Sequence, residues 1–347
     1  MIEFKQGNIL EENAVALVNT VNCVGVMGKG IALQFKQAFP QVFQEYKKAC
    51  TAKEVQPGKM FIVSTGQLFP RYAINFPTKR HWKEKSRIED IQAGLAALVT
   101  DVKQMQIASI AIPPLGCGNG GLEWSDVKPL IVKAFEDVPD VRVIIFEPQG
   151  APVASEMKVG TEKPKLTRAR ALFVRLLELY GIPGYRLTKL EIQKLAYFLQ
   201  EAGEPLKLRY VKHQFGPYAD NLNHVLQAIE GHYIKGYGDR SQNSQISVLP
   251  AGSQESSAFL TDCEDAQARL ERVSNLIIGF ETPYGMEMLA TVHWVTTEDP
   301  QAAIDCDRAI ELVQAWSERK RDIFKPNHLR IVWHHLQQQN WLTAPNA

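Results

Sequence analysis

The spacing of apolar positions changes character about halfway along the chain. Over residues 1–147, short β-rich runs alternate with longer amphipathic stretches. The runs are Ile2–Lys5, Ala14–Val18, Met60–Ser64, Arg71–Asn75, Ile107–Ile112 and Val141–Phe146; the stretches are Gly30–Phe39, Gln41–Cys50, Ile88–Met105 and Trp124–Asp137. Within Ile88–Met105, Ile88, Ile91, Leu95, Leu98, Val99 and Val102 recur at helical spacing. Ile-Ala-Ser-Ile-Ala-Ile and Val-Arg-Val-Ile-Ile-Phe are nearly apolar on both faces, as strands covered by helices on both sides must be. The pattern predicts an α/β sandwich.

From Glu147 to Lys165 the periodicity dissolves into proline, glycine and small residues, a linker composition. Beyond it the period is helical almost throughout, over Ala169–Tyr180, Lys189–Ala202, Ala219–Ile229, Glu264–Ile278, Tyr284–Trp294, Gln301–Trp316 and Leu329–Gln339. Breaks fall at Gly181-Ile-Pro-Gly184, Gly216-Pro217 and Gly236–Ser256, the last read as a mobile loop; Gln214-Phe-Gly-Pro-Tyr reads as a turn between helices. The expected organisation is one domain at 1–150, a linker at 151–165 and a mostly α-helical domain at 166–347. A length of 347 residues agrees with two domains.

Composition changes this picture little. Apolar residues make up 45% and charged residues 22%, an ordinary globular balance. The 39 basic residues against 38 acids leave the total charge uninformative, but its distribution is uneven. Lys79–Arg87 holds five bases and one acid, net +4, whereas Glu255–Glu311 holds twelve acids and three bases, net −9. Five cysteines without a CxxC pair argue against a zinc ribbon or a disulfide framework. With no run of 18 apolar residues and no signal-like opening, a soluble, cytoplasmic protein without a membrane partner is expected.

Two glycine-bearing loops each follow a predicted strand and open a helix. The first runs from Asn19 through Asn22, Cys23, Gly25 and Gly28 to Gly30; the second runs from Pro113 through Gly116, Cys117, Gly118 and Gly120 to Gly121. Glycine lets backbone N–H groups approach a phosphate, and a helix start adds unsatisfied donors. Two such loops suggest a diphosphate held from two sides. A Walker A loop is refused by Cys23 and Gly30. The literal G-x-G-x-x-G at Gly116–Gly121 lacks the further βαβ units of a dinucleotide fold. Cys23 and Cys117 read as small packing residues.

Gln6-Gly-Asn-Ile9, Val18-Asn-Thr-Val-Asn22 and Pro113-Pro-Leu-Gly-Cys-Gly118 resemble the macrodomain signature over residues 1 to about 150. With Ile74-Asn-Phe-Pro-Thr-Lys79-Arg-His-Trp82 and a helical second half carrying Lys194-Leu-Ala-Tyr-Phe, the chain resembles the DarG family, the antitoxins of the DarT–DarG toxin–antitoxin pair. The resemblance implies a three-layer α/β macrodomain with a mixed central sheet, followed by a helical toxin-binding domain. It implies ADP-ribose binding, with Gly7, Asn8, Ile9 and Phe146 about the adenine. Asn22, Gly28 and Gly30 would approach the distal ribose, with Asn19 and Thr20 also counted among the ADP-ribose contacts, and Leu115, Gly116, Cys117, Gly118, Asn119, Gly120 and Gly121 would wrap the diphosphate. Asn8 stands where many relatives have aspartate, and Gly120 where related hydrolases place an acid.

The implied activity is removal of ADP-ribose from thymidine in DNA, with Lys79 as nucleophile. An amine can attack an N-glycosidic carbon and form a Schiff base that water hydrolyses. It must first be neutral, so its pKa must fall from about 10.4 toward roughly 7–8. The neighbouring cations Arg80, Lys83 and Lys85 are expected to drive that fall. Arg80, His81, Trp82, Lys83 and Lys85 are the candidate DNA contacts. The expected partners are ADP-ribosylated single-stranded DNA and a DarT-like toxin, with no metal or other cofactor. A non-catalytic ADP-ribose binder, or a hydrolase of protein-linked ADP-ribose or O-acetyl-ADP-ribose, remains the alternative; the lysine and the basic run favour the DNA hydrolase.

Overall fold

The computed structural model describes residues 1–149, 152–181, 187–240 and 244–342. They group into two units, Met1–Glu162 with Gly238–Gln242, and Lys163–Tyr237 with Asn243–Ala347. In the first unit, six strands, β1 (Ile2–Lys5), β2 (Ala16–Asn22), β3 (Phe61–Ser64), β4 (Tyr72–Lys79), β5 (Ser109–Ile112) and β6 (Arg142–Phe146), form one sheet in the order β1-β6-β5-β2-β4-β3. All neighbours pair in parallel except β3 with β4, so the sheet is mixed.

Both faces of the sheet are covered, which explains the apolar runs. Ala16, Val18, Ile74, Phe76, Ile110, Ile112, Val143 and Ile145 share a core with α3 (Ile88–Gln104) and α4 (Trp124–Phe135). The intervening Leu17, Ala73, Ala111, Ile144 and Phe146 face α1 (Gly30–Ala38) and α2 (Pro40–Thr51). Alternation within each strand therefore assigns residues to two cores rather than to core and water. At Gly94 on α3 a Cβ would overlap the Phe76 ring, so glycine sets how closely that helix approaches β4.

The second unit is helical around α6 (Lys189–Glu201) and α10 (Pro283–Glu298), both buried along most of their length. Around them lie α5 (Arg168–Tyr180), α7 (Leu222–Ile229), α8 (Pro250–Leu260), α9 (Glu264–Ile277), α11 (Pro300–Ile304), α12 (Cys306–Gln314), α13 (Glu318–Ile323) and α14 (Pro326–Gln338). Three expectations are corrected. Part of the segment read as a mobile loop is the strand Ser247–Val248 and helix α8, although 241–243 lie outside the described residues. The single helix expected over Gln301–Trp316 is broken at Asp305, whose carboxylate caps α12 by accepting from the N–H groups of Asp307 and Arg308. Gln214-Phe-Gly-Pro-Tyr sits in a hairpin, Val211–His213 paired with Gly216–Tyr218. The break at residues 182–184 and linker residue Ala151 also lie outside the described residues.

Burial in this unit includes charge. Lys194 is 1% exposed and donates to the Pro217 carbonyl (2.6 Å). Lys320, also buried, donates to Glu287 (2.8 Å) and Thr291 (3.1 Å), while Arg319 grips the same carboxylate. Burial, with Lys320 adding repulsion, pushes the Lys194 amine down to about 7. The unfolded chain thus binds more protons than the folded one between about pH 7 and the ordinary lysine value near 10.4, so this residue makes stability rise with pH across that window. Lys194→Met is expected to be at least as stable as the wild type at pH 7, with any advantage shrinking by about 2 kcal/mol by pH 9. Urea unfolding of both proteins at the two pH values measures it, and a pH-independent difference would reject it.

Candidate active site

Five parallel strands end on one edge of the first unit's sheet, and the chain leaving each of them carries the predicted site. Gly7, Asn8 and Ile9 follow β1; the first glycine loop follows β2; Lys79 ends β4, with Arg80–Trp82 beyond it; the second glycine loop follows β5; Phe146 ends β6. The carboxyl edge of parallel strands is where such folds hold ligands, because loop tips and helix starts converge there. Near Gly7–Ile9, Asn8 is half-buried and its side-chain oxygen accepts from the Leu10 N–H (3.0 Å), so the amide caps a short turn. Ile9 and Phe146 are buried in one apolar cluster.

The parallel pairing of β2 with β4 runs from Ala16 opposite Tyr72 to Asn22 opposite Lys79, with a register shift at Val21/Asn22. It sets Lys79 beside the first loop. Asn22 organises that loop: its side-chain oxygen accepts from the N–H groups of Val24 (3.0 Å) and Val26 (3.3 Å), and its carbonyl accepts from the buried Tyr46 hydroxyl. Thr20 and Gly28 are half-buried. Asn19 departs from its assigned role. It is fully buried and donates to Asn75 (3.0 Å), so it braces β2 against β4 instead of facing a ligand.

The second loop turns back on itself through bonds from Cys117 N to Pro114 O, Gly121 N to Gly118 O and Leu122 N to Gly116 O. Leu115, Gly116 and Gly120 are buried, whereas Gly118 and Asn119 are exposed. The two loops nearly meet: a Cβ on Gly30, which has φ +62°, would lie 2.9 Å from the Asn119 side-chain nitrogen. Helices α1 and α4, which open from the loops, have no side-chain cap at their N-termini.

The Lys79 amine donates to the Asn119 carbonyl and so crosses from the end of β4 to the second loop. Its pKa is lowered, and the cause is burial. The expectation that neighbouring cations would lower it is corrected. Arg80 turns away onto Asp90 (3.0 Å), while Lys83 and Lys85 are exposed on the loop beyond. The Cys23 and Cys117 thiols are each pushed up to about 11 by burial, consistent with packing rather than nucleophilic roles.

Outside the cleft, Trp82 is 49% exposed, 5.6 Å from the His81 ring, with the Lys83 amine 5.1 Å from its face. Three residues that motif reading missed also belong here. Asp90 fixes Arg80. Ser86 donates its N–H to the Gly120 carbonyl (2.9 Å). Asp239, in the short segment grouped with this unit, accepts from Gly30 N (2.9 Å) and from the Gln34 amide (2.6 Å). No local pattern could have joined Asp239 to a loop some two hundred residues earlier. Among the described residues no group of three or more His, Cys, Asp or Glu side chains could hold a metal, and no helix is long and apolar enough to cross a membrane.

Comparison with known proteins gives the same outline. A family model described as Macro domain matches residues 18–131. The chain is 49% identical over 333 residues to a DNA ADP-ribosyl glycohydrolase of Thermus aquaticus, covering 96% of this chain and 92% of that protein. It is 42% identical over 350 residues to a protein of the same description from Mycobacterium tuberculosis, covering 96% and 98%. A region of 144 residues, 37% of each chain, is 39% identical to a DNA ADP-ribosyl transferase-DNA ADP-ribosyl glycohydrolase fusion protein of Thermosipho africanus. Identity at this level across nearly the full length of two such relatives, with a macrodomain sheet whose carboxyl edge gathers both glycine loops and Lys79, shows that the chain belongs to the DarG family of DNA ADP-ribosyl glycohydrolases.

Proposed function

We propose that this enzyme releases ADP-ribose from thymidine in single-stranded DNA with Lys79 as nucleophile, and that its helical unit binds a DarT-like toxin directly. The observation that carries the catalytic reading is the Lys79 amine, partly desolvated at the strand edge and donating to the Asn119 carbonyl between the two loops. Desolvation disfavours the ammonium. A neutral amine that donates one N–H to Asn119 keeps its lone pair free for attack.

The lone pair forms a bond to the anomeric carbon of the distal ribose while the bond from that carbon to the thymine nitrogen breaks. The electron pair leaves on the base, which takes up a proton. Loss of a proton from the new ammonium and opening of the ribose ring give a Schiff base. Water adds to it, the carbon–lysine bond breaks, and ADP-ribose and free amine result. The glycine loops contribute by holding the diphosphate, so that remote binding energy places the sugar against the amine. Trp82 offers a face for a base of the strand, and Lys83 and Lys85 offer charge for its phosphates.

For the toxin, the fusion of transferase and glycohydrolase in the Thermosipho relative supports association of the two activities. The helical unit's own core gives that association a separate folded carrier. Its acidic stretch is less bare than its net −9 suggests. Glu287 is buried on Arg319 and Lys320, Asp265 pairs with Arg168, Asp299 with Arg308 and Asp307 with Arg330. Carboxylates such as Asp262, Glu264 and Glu271 are the better candidates for contacting a basic toxin surface.

Five outcomes test this reading. Lys79→Ala is expected to slow release from modified DNA by about a thousandfold or more, with ADP-ribose affinity kept within about tenfold. Borohydride should trap the wild type, and not the variant, on modified DNA. The wild-type single-turnover rate should rise with pH, because deprotonation produces the reactive amine, with an inflection below the ordinary lysine value near 10.4. A variant with normal turnover rejects the assignment. Neutralising Lys83 and Lys85 together should weaken single-stranded DNA binding and flatten its salt dependence, by roughly 0.7 in the log–log slope for each phosphate no longer held, with free ADP-ribose affinity unchanged. An unchanged slope makes both lysines plain surface. The full-length Lys79→Ala protein should still inhibit the toxin's DNA modification at stoichiometric amounts; its failure to do so would leave hydrolysis as the whole means of protection.

A further inference from the structure

Ser86 presents an anomaly at the centre of the site. It is 7% exposed, yet its hydroxyl finds no hydrogen-bond partner among the described residues. The oxygen is enclosed by the second glycine loop. It would lie 3.2 Å from a Cβ on Gly116, and a Cβ on Gly120 would overlap both it and the Gly116 carbonyl. An unsatisfied buried hydroxyl is a net cost to the folded protein, and alanine would occupy most of the same space without that cost. Such a group in a native structure calls for an explanation, and a partner that arrives with the ligand is one.

Peptide geometry supplies one. In a trans peptide the N–H and the preceding C=O point to opposite sides of one plane. If a diphosphate drew loop N–H groups toward the cleft, the carbonyls of the same planes would turn away from it, and the Ser86 hydroxyl lies close to Gly116 and Gly120 of that loop. In the structure, two of the loop's donors, Cys117 N and Gly121 N, are engaged within the loop by Pro114 O and Gly118 O, so either can turn to a diphosphate only by rotation of its peptide plane. Gly116 has φ +73° and Gly121 φ +77°, a backbone conformation that glycine adopts without side-chain strain, so each end of the segment can reorient. Meanwhile the Ser86 N–H already holds the Gly120 carbonyl, which keeps the serine in register with the moving segment.

We propose that Ser86 is a positioning residue whose hydroxyl donates to a carbonyl of the second loop only when that loop closes on the ADP-ribose diphosphate. The bond stabilises the closed loop, and with it the Asn119 carbonyl that orients Lys79. The inference rests on the proposed reading that this loop takes the diphosphate.

Ser86→Ala removes one oxygen and leaves the packing intact, so it tests the idea cleanly. The ligand-free variant is expected to melt at or above the wild-type temperature. Its ADP-ribose affinity by calorimetry should fall about five- to tenfold, and its ligand-induced rise in melting temperature should shrink accordingly. The single-turnover rate at saturating modified DNA should fall as well. A merely structural hydroxyl would give the opposite split, a lower ligand-free melting temperature with unchanged affinity, and that result overturns the proposal. Unchanged stability with unchanged affinity overturns it too. Wild-type protein that fails to bind ADP-ribose would instead refute the diphosphate reading on which it rests, and Lys79 is judged separately by borohydride trapping.

Discussion

The parallel pairing of β2 with β4 is the constraint on which the site depends. It is continuous from Ala16 opposite Tyr72 and ends in a register shift that places Asn22 opposite Lys79. Asn19 and Asn75 lock it from inside by a side-chain bond in the buried sheet, where a polar pair is costly to break. Because this pairing aligns two carboxyl ends, the first glycine loop and the lysine become neighbours although far apart in sequence. The second loop is then brought in by β5 on the other side of β2, and the amine of Lys79 closes the triangle on Asn119.

Much of this is legible from the residues. Each of the six strands of the macrodomain overlaps a predicted β-rich run, but β2 and β4 continue four residues beyond the expected ends, to Asn22 and Lys79, and both cores follow from strands apolar on two faces. The loops are legible because glycines clustered between a strand and a helix mark a close backbone approach. What sequence cannot give is environment. Position alone suggests that like charges free the Lys79 amine, whereas Arg80 is drawn off by Asp90 in the first turn of α3, and burial is the cause. Asn19 looks like a ligand contact because its neighbours do, yet it lies within β2, buried on both faces, and its amide is bonded to Asn75.

The helical unit shows a second way that pattern misleads. Helix α8 reads as loop because its buried face is built from Gly252, Ser256 and Leu260, a helical spacing written in small residues. Gly252 is required where a Cβ would run into the Tyr233 backbone. Periodicity registers size and apolarity, so a helix packed through glycine and serine is nearly silent to it. Net charge misleads in the same manner: several carboxylates of the acidic stretch are matched by arginines and lysines in or outside it.

The two cysteines in the glycine loops carry a consequence for the conditions in which the enzyme can work. Peroxides and other electrophiles react with thiolate, and a thiol held near 11 offers almost none at neutral pH. Burial therefore favours the protonated form of Cys23 and Cys117, although each is only half-buried beside the cleft. The two glycine loops thus carry sulfur beside the cleft without offering an appreciable thiolate at neutral pH.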